Sequence, residues 1–397
     1  ERRHAAQRRL DVLRERDILD RAHAVRERGG RPTADEARAL AAYSGWGPCA
    51  DAFSGRGEWA GTLARLEELL SPDELASARS SVLTAYYTPE EVVRAMYGTL
   101  GRMGFGGEGV ADDVLEPSCG VGNFMLAAPE GYRFRAVEVD PLSAAIAQAL
   151  SPDAEVVCAP FEECAFPEGS FSAVIGNVPF SDSIKIAYPG VGTLAIHDYF
   201  VLRSLDAVRP GGVVAVVASR FLMDKRGGRV RREMARRAEL AACVRLPGNV
   251  FLEQAGTEVA ADVIFLRKRP ERLEDVDEPW VRSVEVEGAF VNAIVAQRPE
   301  CAAGRLSIVP GRFGPVPAVG REGDEPLSDA IERLAAKQLE RVEDAPGTRA
   351  RAMAAKAPEP YIAKAPKPSG DYEYALDEGG RVWFGNGSTV EPVPLPR

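Results

Sequence analysis

The stretch Val114-Leu-Glu-Pro-Ser-Cys-Gly-Val-Gly-Asn-Phe124 decides the fold. It reads as a strand ending in Glu116, a glycine-containing turn and a helix starting near Asn123. That order puts a carboxylate and bare backbone at the carboxyl edge of a sheet, where open α/β folds bind ligands. A dinucleotide fingerprint would need a third glycine near position 125, which is Met125, and the acid at Glu116 would repel a pyrophosphate. An acidic first strand end suits a ligand bearing an ammonium group, such as S-adenosylmethionine. Taken alone, the same residues also describe an ordinary tight strand-to-helix turn.

Working outward, residues from Thr84 to about Arg269 alternate short apolar runs with helical stretches, the pattern of βαβ units and a mostly parallel sheet. Seven strands are expected, at Asp113–Leu115, Phe134–Val139, Ala154–Cys158, Ser172–Gly176, Val213–Ala218, Ala241–Arg245 and Val263–Arg267. Only a loop, Pro247 to Glu258, separates the last two, so the final strand is expected to run antiparallel at or near one edge. The fold class is therefore α/β and Rossmann-like.

Two further signals fall at carboxyl ends of strands in this sheet. In Ala136-Val-Glu-Val-Asp140, Glu138 stands eighteen residues after Gly120, close to the distance at which an acid accepts hydrogen bonds from ribose hydroxyls. Asp140, followed by Pro141, reads as a helix cap. In Ile175-Gly-Asn-Val-Pro-Phe180, the side-chain oxygen of Asn177 and the main-chain carbonyl of Val178 can accept both hydrogens of a planar exocyclic amine. Phe180 offers a face on which a base can stack. By itself this motif is also an Asn-containing turn ended by Pro179. Three such signals at one sheet edge point together to methylation of an amine.

These residues resemble the N6-adenine DNA methyltransferases of the amino-methyltransferase class, in which the cofactor motif precedes the catalytic one. The resemblance spans about Thr84 to Arg269: Tyr86-Tyr-Thr-Pro89 matches the N-terminal cofactor motif, Glu116 to Phe124 the glycine motif, Glu138 the ribose acid and Asn177 to Phe180 the Asn-Pro-Pro-aromatic tetrad. The resemblance implies that Thr88, Glu116, Ser118, Gly120, Gly122, Glu138 and Val139 line an S-adenosylmethionine pocket. Asn177, Val178, Pro179 and Phe180 would be catalytic. Thr88-Pro-Glu-Glu91 also reads as a capping box, a role compatible with the first. More narrowly, Ser44-Gly-Trp-Gly47, Tyr86 to Pro89, Gly176 to Phe180 and Ala255-Gly-Thr-Glu-Val259 look like the methyltransferase portion of very large phage and mobile-element proteins that fuse such a domain to a helicase. That likeness implies restriction, antirestriction or phage-defence biology, with DNA, a helicase domain or defence proteins as partners.

The chain departs from the family pattern twice. Val178 replaces the usual proline, but the acceptor is main chain and survives. Pro160-Phe161 replaces an aspartate–phenylalanine pair that binds the cofactor's adenine amino group; Phe161 is left to pack on that adenine and Glu162 to substitute as acceptor. The implied reaction is an in-line displacement in which adenine N6, flipped from the duplex, attacks the sulfonium methyl and a thioether leaves, without a metal. Phe251, in the loop before the final strand, is the candidate aromatic for the opposite face of the base, and equally a candidate core residue. His197 is expected to make a structural hydrogen bond rather than act as a base. Cys119 is not needed as a nucleophile.

Composition bounds the rest. The 397 residues suggest two to three domains, and 45% hydrophobic with 27% charged residues is a globular mix with no stretch near the length of a membrane span. Six cysteines without a C-x-x-C pair and only three histidines make a zinc site or a stapled secreted framework improbable, so a reducing cytosol fits best. The arginine-rich start without methionine is expected to mark a piece of a longer protein. A net charge of −10 argues against gripping nucleic acid over the whole surface. The interval Asp224 to Arg237 departs from this, with seven basic residues against two acids; Lys225, Arg226, Arg229, Arg231 and Arg232 are its candidate phosphate contacts, or else a solvated helix face. Rival functions are methylation of RNA adenine or of a protein glutamine, and a regulatory DNA-binding module that keeps the fold without turnover.

The expected division is a helical region over 1–83, the methyltransferase domain over 84–269 and an accessory region over 270–356. A Pro/Ala/Lys linker over 357–370 and a hairpin over 371–397 would follow, the hairpin as part of a further domain. Capping boxes at Thr33–Glu36 and Ser71–Glu74 mark helix starts in the first region, where Leu10, Leu13 and Ile18 form an apolar stripe.

Overall fold

The structure, a computed structural model, describes residues 17–18, 20–22, 24–25, 27–28, 31–43, 52–56, 59–81, 87–107, 111–251, 259–311, 314–343, 363–364, 374–376, 382–385 and 390–392. Its centre is a seven-stranded sheet: β1 (Asp112–Glu116), β2 (Tyr132–Glu138), β3 (Glu155–Cys158), β4 (Phe171–Asn177), β5 (Val208–Ser219), β6 (Ala238–Arg245) and β7 (Ala261–Lys268). The spatial order is β3-β2-β1-β4-β5-β7-β6, and β7 runs antiparallel to both of its neighbours. The final strand is thus one place in from the edge. Pairing against β7 along its whole length extends β5 and β6 beyond their apolar cores.

Both faces of the sheet are buried, which is why its strands read as continuous apolar runs. Along β5, Val213, Ala215 and Val217 join one hydrophobic cluster, whereas Val214, Val216 and Ala218 join the other. On the first face lie α1 (Glu90–Arg102) and, later in the chain, a helix over Leu327–Glu343. Helix α1 turns Val92, Val93, Met96 and Leu100 inward at helical spacing. The other face is covered by α3 (Ile196–Ala207) and α4 (Arg229–Arg237); α2 (Pro141–Leu150) connects β2 to β3.

The order reverses between β1 and β4, the topological switch point where open α/β sheets bind ligands. A hairpin not foreseen from sequence, Lys185–Tyr188 paired with Gly192–Ala195, leads from β4 into α3. Near the C-terminus the expected hairpin is a three-stranded meander, Tyr374–Leu376, Val382–Gly385 and Val390–Pro392. Among the described residues no helix is long and apolar enough to cross a membrane.

Candidate active site

At the end of β1, Glu116 is 1% exposed, and its Oε2 has no hydrogen-bond partner among the described residues. Burial, reinforced by the nearby charge of Glu138, pushes its carboxyl well above the usual range. Thr88 lies just before α1 and is likewise buried, with its hydroxyl unpartnered among the described residues. The expected capping box does not form there: Pro89 is the N-cap and no side chain caps the helix.

The glycine turn between Glu116 and Asn123 needs left-handed backbone at Gly120 (φ 55°) and Gly122 (φ 89°). A Cβ on Gly120 would stand 3.0 Å from Cε1 of Tyr87, and one on Gly122 would stand 2.7 Å from Cε of Met125. The second acid holds this turn in place: Glu138 Oε2 accepts from the Gly120 N–H and Oε1 from the Asp140 N–H, both at 2.8 Å. Burial outweighs those bonds and raises the Glu138 carboxyl to about 7. Asp140 caps α2 as expected, accepting from the Ser143 N–H at 3.0 Å. Val139 beside it is 62% exposed, an apolar surface at the lip of the turn.

Strand β4 brings the amine motif to the same edge. The Ser118 hydroxyl donates to the main-chain carbonyl of Asn177 at 2.8 Å, tying the glycine turn to the end of β4. Gly176 permits this approach, since a Cβ there would come within 3.3 Å of Pro117. The Val178 N–H donates to the Val217 carbonyl at 3.0 Å, which holds the tetrad to β5, and the Val178 side chain is buried. Pro179 and Phe180 follow half-buried, with Phe180 against one core cluster.

Other candidates are placed elsewhere. Phe251 is fully buried in the core beneath the sheet edge and cannot face a base. Phe161 is also buried, 4.8 Å from Phe200 and 5.7 Å from Phe166 between ring centroids, so its ring serves the core; Glu162 next to it is exposed. Arg231 is 2% exposed and donates to the carbonyls of Val281, Leu222 and Lys225 and to the Ser283 hydroxyl, so it is an internal bolt and not a phosphate contact. Lys225 is held by Asp182 at 2.9 Å and Asp198 at 3.4 Å. Arg226, Arg229 and Arg232 are exposed, and Arg232 has no ion pair among the described residues.

His197 is buried, its Nε2 lies 3.3 Å from Lys225 Nζ, and burial lowers its pKa. Among the described residues no cluster of His, Cys, Asp and Glu could hold a metal ion. A cleft of about 650 Å³ lies at the opposite edge of the sheet, beside Gly169 and Pro210. Its Arg237, Lys268 and Arg272 are paired with Asp206, Glu168 and Glu233, and the cleft takes no part in the chemistry described here.

Sequence reasoning missed Tyr87, whose ring covers Gly120 and meets Tyr43 edge-on at 6.4 Å. Its place between Tyr86 and Thr88 was the available signal. It also missed a buried ion pair: Arg245 at the end of β6 donates to both oxygens of Asp262 on β7, at 2.7 and 2.9 Å, and to Asp224 at 2.8 Å. This network anchors the segment after β5 at the same edge of the sheet.

The seven-stranded order with its antiparallel β7 is a Rossmann-like α/β fold. No family model matches the chain. Over 217 residues the chain is 32% identical to the Defense against restriction protein B of Escherichia phage P1, an alignment that takes in 53% of this chain and 9% of that protein. Among solved structures it is similar to the type I restriction-modification methyltransferase subunit of Streptococcus thermophilus, at 16% identity and a TM-score of 0.40, covering 58% of this chain and 57% of that one. The type I restriction enzyme EcoKI M protein is similar at 12% identity and a TM-score of 0.39, covering 84% and 89%.

Proposed function

We propose that the chain binds S-adenosylmethionine and methylates the exocyclic N6 of adenine in DNA, in a restriction, antirestriction or phage-defence setting. The observation that carries the reading is the Ser118–Asn177 bond, which fastens an acid-lined glycine turn to an Asn-Val-Pro-Phe segment at one sheet edge. The residues fit the cofactor. Two buried oxygens, Glu116 Oε2 and Thr88 Oγ1, lack partners among the described residues, and an ammonium or hydroxyl donor would satisfy them. Glu138 keeps acceptor capacity beyond its two backbone bonds for ribose hydroxyls.

When bound, the cofactor supplies an electrophilic methyl group. The chain's own part is to prepare the amine. The adenine N6 lone pair is delocalised into its ring; hydrogen bonds from N6–H to the Asn177 side chain and the Val178 carbonyl strengthen as positive charge develops on nitrogen, so they favour the transition state over the ground state. Phe180 offers a stacking face for the flipped base, and Arg226, Arg229 and Arg232 contact phosphates. The product proton passes to water.

The test separates binding from chemistry. Asn177→Ala abolishes transfer while cofactor affinity, read by calorimetry, stays within a few fold. Retained turnover removes Asn177 from the mechanism. Similarity to a phage protein named for defence against restriction favours DNA over RNA or protein as the substrate. Absence of cofactor binding by the native chain at millimolar concentration would favour the regulatory DNA-binding module.

A further inference from the structure

The burial of Phe251 leaves a purine extruded beside Asn177 with only Phe180 as a stacking partner from the expected set. The segment after β5 supplies another. Residues Asn177 and Val217 are paired in the parallel β4–β5 register, and the strands at such a pairing stand about 4.8 Å apart. Phe180 follows Asn177 by three positions and Phe221 follows Val217 by four, so two aromatic residues leave the same sheet edge from adjacent strands. Phe221 is 40% exposed, in contrast to its neighbours Leu222 and Met223, which enter the core.

One face of the Phe221 ring is already taken. The Arg220 guanidinium lies 4.3 Å from the ring centroid, a cation–π contact that fixes the ring. Arg220 is itself restrained: its Nη1 stands 3.6 Å from Asp224, and Asp224 accepts from Arg245 at 2.8 Å and from the Asn292 N–H at 2.9 Å. The Arg220 N–H donates to the Ala260 carbonyl, just ahead of β7, at 3.0 Å. No other ring or cation covers Phe221 among the described residues. A solvent-facing aromatic ring held this firmly, next to a base-handling motif, is a rigid platform; an unconstrained surface phenylalanine would have neither the cation nor the buried acid behind it.

We infer that Phe221, backed by Arg220, is a substrate-binding residue that stacks on the extruded adenine. The inference rests on the proposed reading of the site and names the part of it that handles the base. Arg220 acts through Phe221 and is a positioning residue.

Two readouts test it. The first is binding of a short adenine-rich single strand, in the presence of S-adenosylhomocysteine, followed by fluorescence anisotropy. The second is the KM and kcat for methyl incorporation from labelled S-adenosylmethionine into unmethylated DNA. Phe221→Ala weakens strand binding roughly ten- to a hundred-fold, in line with the value of one stacked base, and raises KM for DNA by a similar factor. Phe221→Trp restores both, and cofactor affinity stays within twofold in each variant. Strand affinity and KM unchanged in Phe221→Ala overturn the inference, as does failure of the native chain to bind adenine-rich strands. A native chain that binds the strand in a Phe221-dependent way but transfers no methyl group would sink the enzymatic reading and leave the platform standing.

Discussion

If the proposed function holds, the carboxyl of Glu138 makes cofactor binding sensitive to pH in a direction its burial sets. Burial lifts it to about 7, although the backbone N–H groups of Gly120 and Asp140 both favour the ionised form. Glu116, close by, is raised as well, by burial and by Glu138 itself. A cationic cofactor favours ionised carboxylates, so its affinity should rise with pH. For a group titrating near 7, roughly one molecule in eleven is ionised at pH 6 and about ten in eleven at pH 8, which makes binding about tenfold weaker at pH 6. The same raised value costs the ligand-free fold stability as pH climbs from the unfolded value near 4.5 through about 7, because the unfolded chain has by then released the proton that the native state retains.

Calorimetry in two buffers of different ionisation enthalpy measures both the affinity and the proton released on binding. Glu138→Gln keeps the shape, removes this titration and places an amide against one of the two backbone donors; the pH slope should shrink and affinity should fall. Affinity flat from pH 6 to 8 in the native chain, with no proton release, would refute the placement of the cofactor's ribose against Glu138 and of its positive charge near Glu116.

Other consequences concern the fold and the proposed nucleic-acid contacts. Arg245→Met leaves Asp262 and Asp224 buried without their cation and should cost about 3–5 kcal/mol in urea unfolding. Gly120→Ala forces a left-handed residue against Tyr87, with a backbone cost of about 1–2 kcal/mol, and should weaken cofactor binding while the unfolding transition stays cooperative. Arg229→Glu with Arg232→Glu should weaken duplex binding and lower the slope of log affinity against log salt by about 2, whereas Arg231→Glu should destabilise the whole fold; equal unfolding curves for the native chain and Arg231→Glu would contradict its burial.

Local chemistry in the sequence carried most of the architecture. Every expected strand lies within an observed one or overlaps it to within a residue, because a sheet buried on both faces demands apolar runs that no surface segment needs. The capping boxes at Thr33–Glu36 and Ser71–Glu74 form with both reciprocal bonds, since all their atoms lie within four residues. Thr88–Glu91 has the same letters, yet Pro89 takes the cap and the threonine stays buried and unbonded among the described residues.

Errors arose where tertiary contacts decide. Nothing next to Arg231 in the chain announces that Val281 and Ser283, some fifty residues on, will surround its guanidinium. Phe251 lies in a loop by sequence and in the core by packing. The Ser44–Gly47 turn, and Ala255 to Glu258 ahead of Val259, fall outside the described residues, so the wider motif set is represented here by its middle members.

The proposed function requires Asn177 to present an adenine amine to a methyl donor. The most direct measurement is incubation of unmethylated DNA with isotopically labelled S-adenosylmethionine and the native chain, followed by nuclease digestion and mass spectrometry of the nucleosides. Labelled N6-methyldeoxyadenosine from the native chain and none from Asn177→Ala is the predicted result. A native chain that binds the cofactor and the DNA yet labels no adenine, or an Asn177→Ala chain that labels as well as the native one, would contradict it.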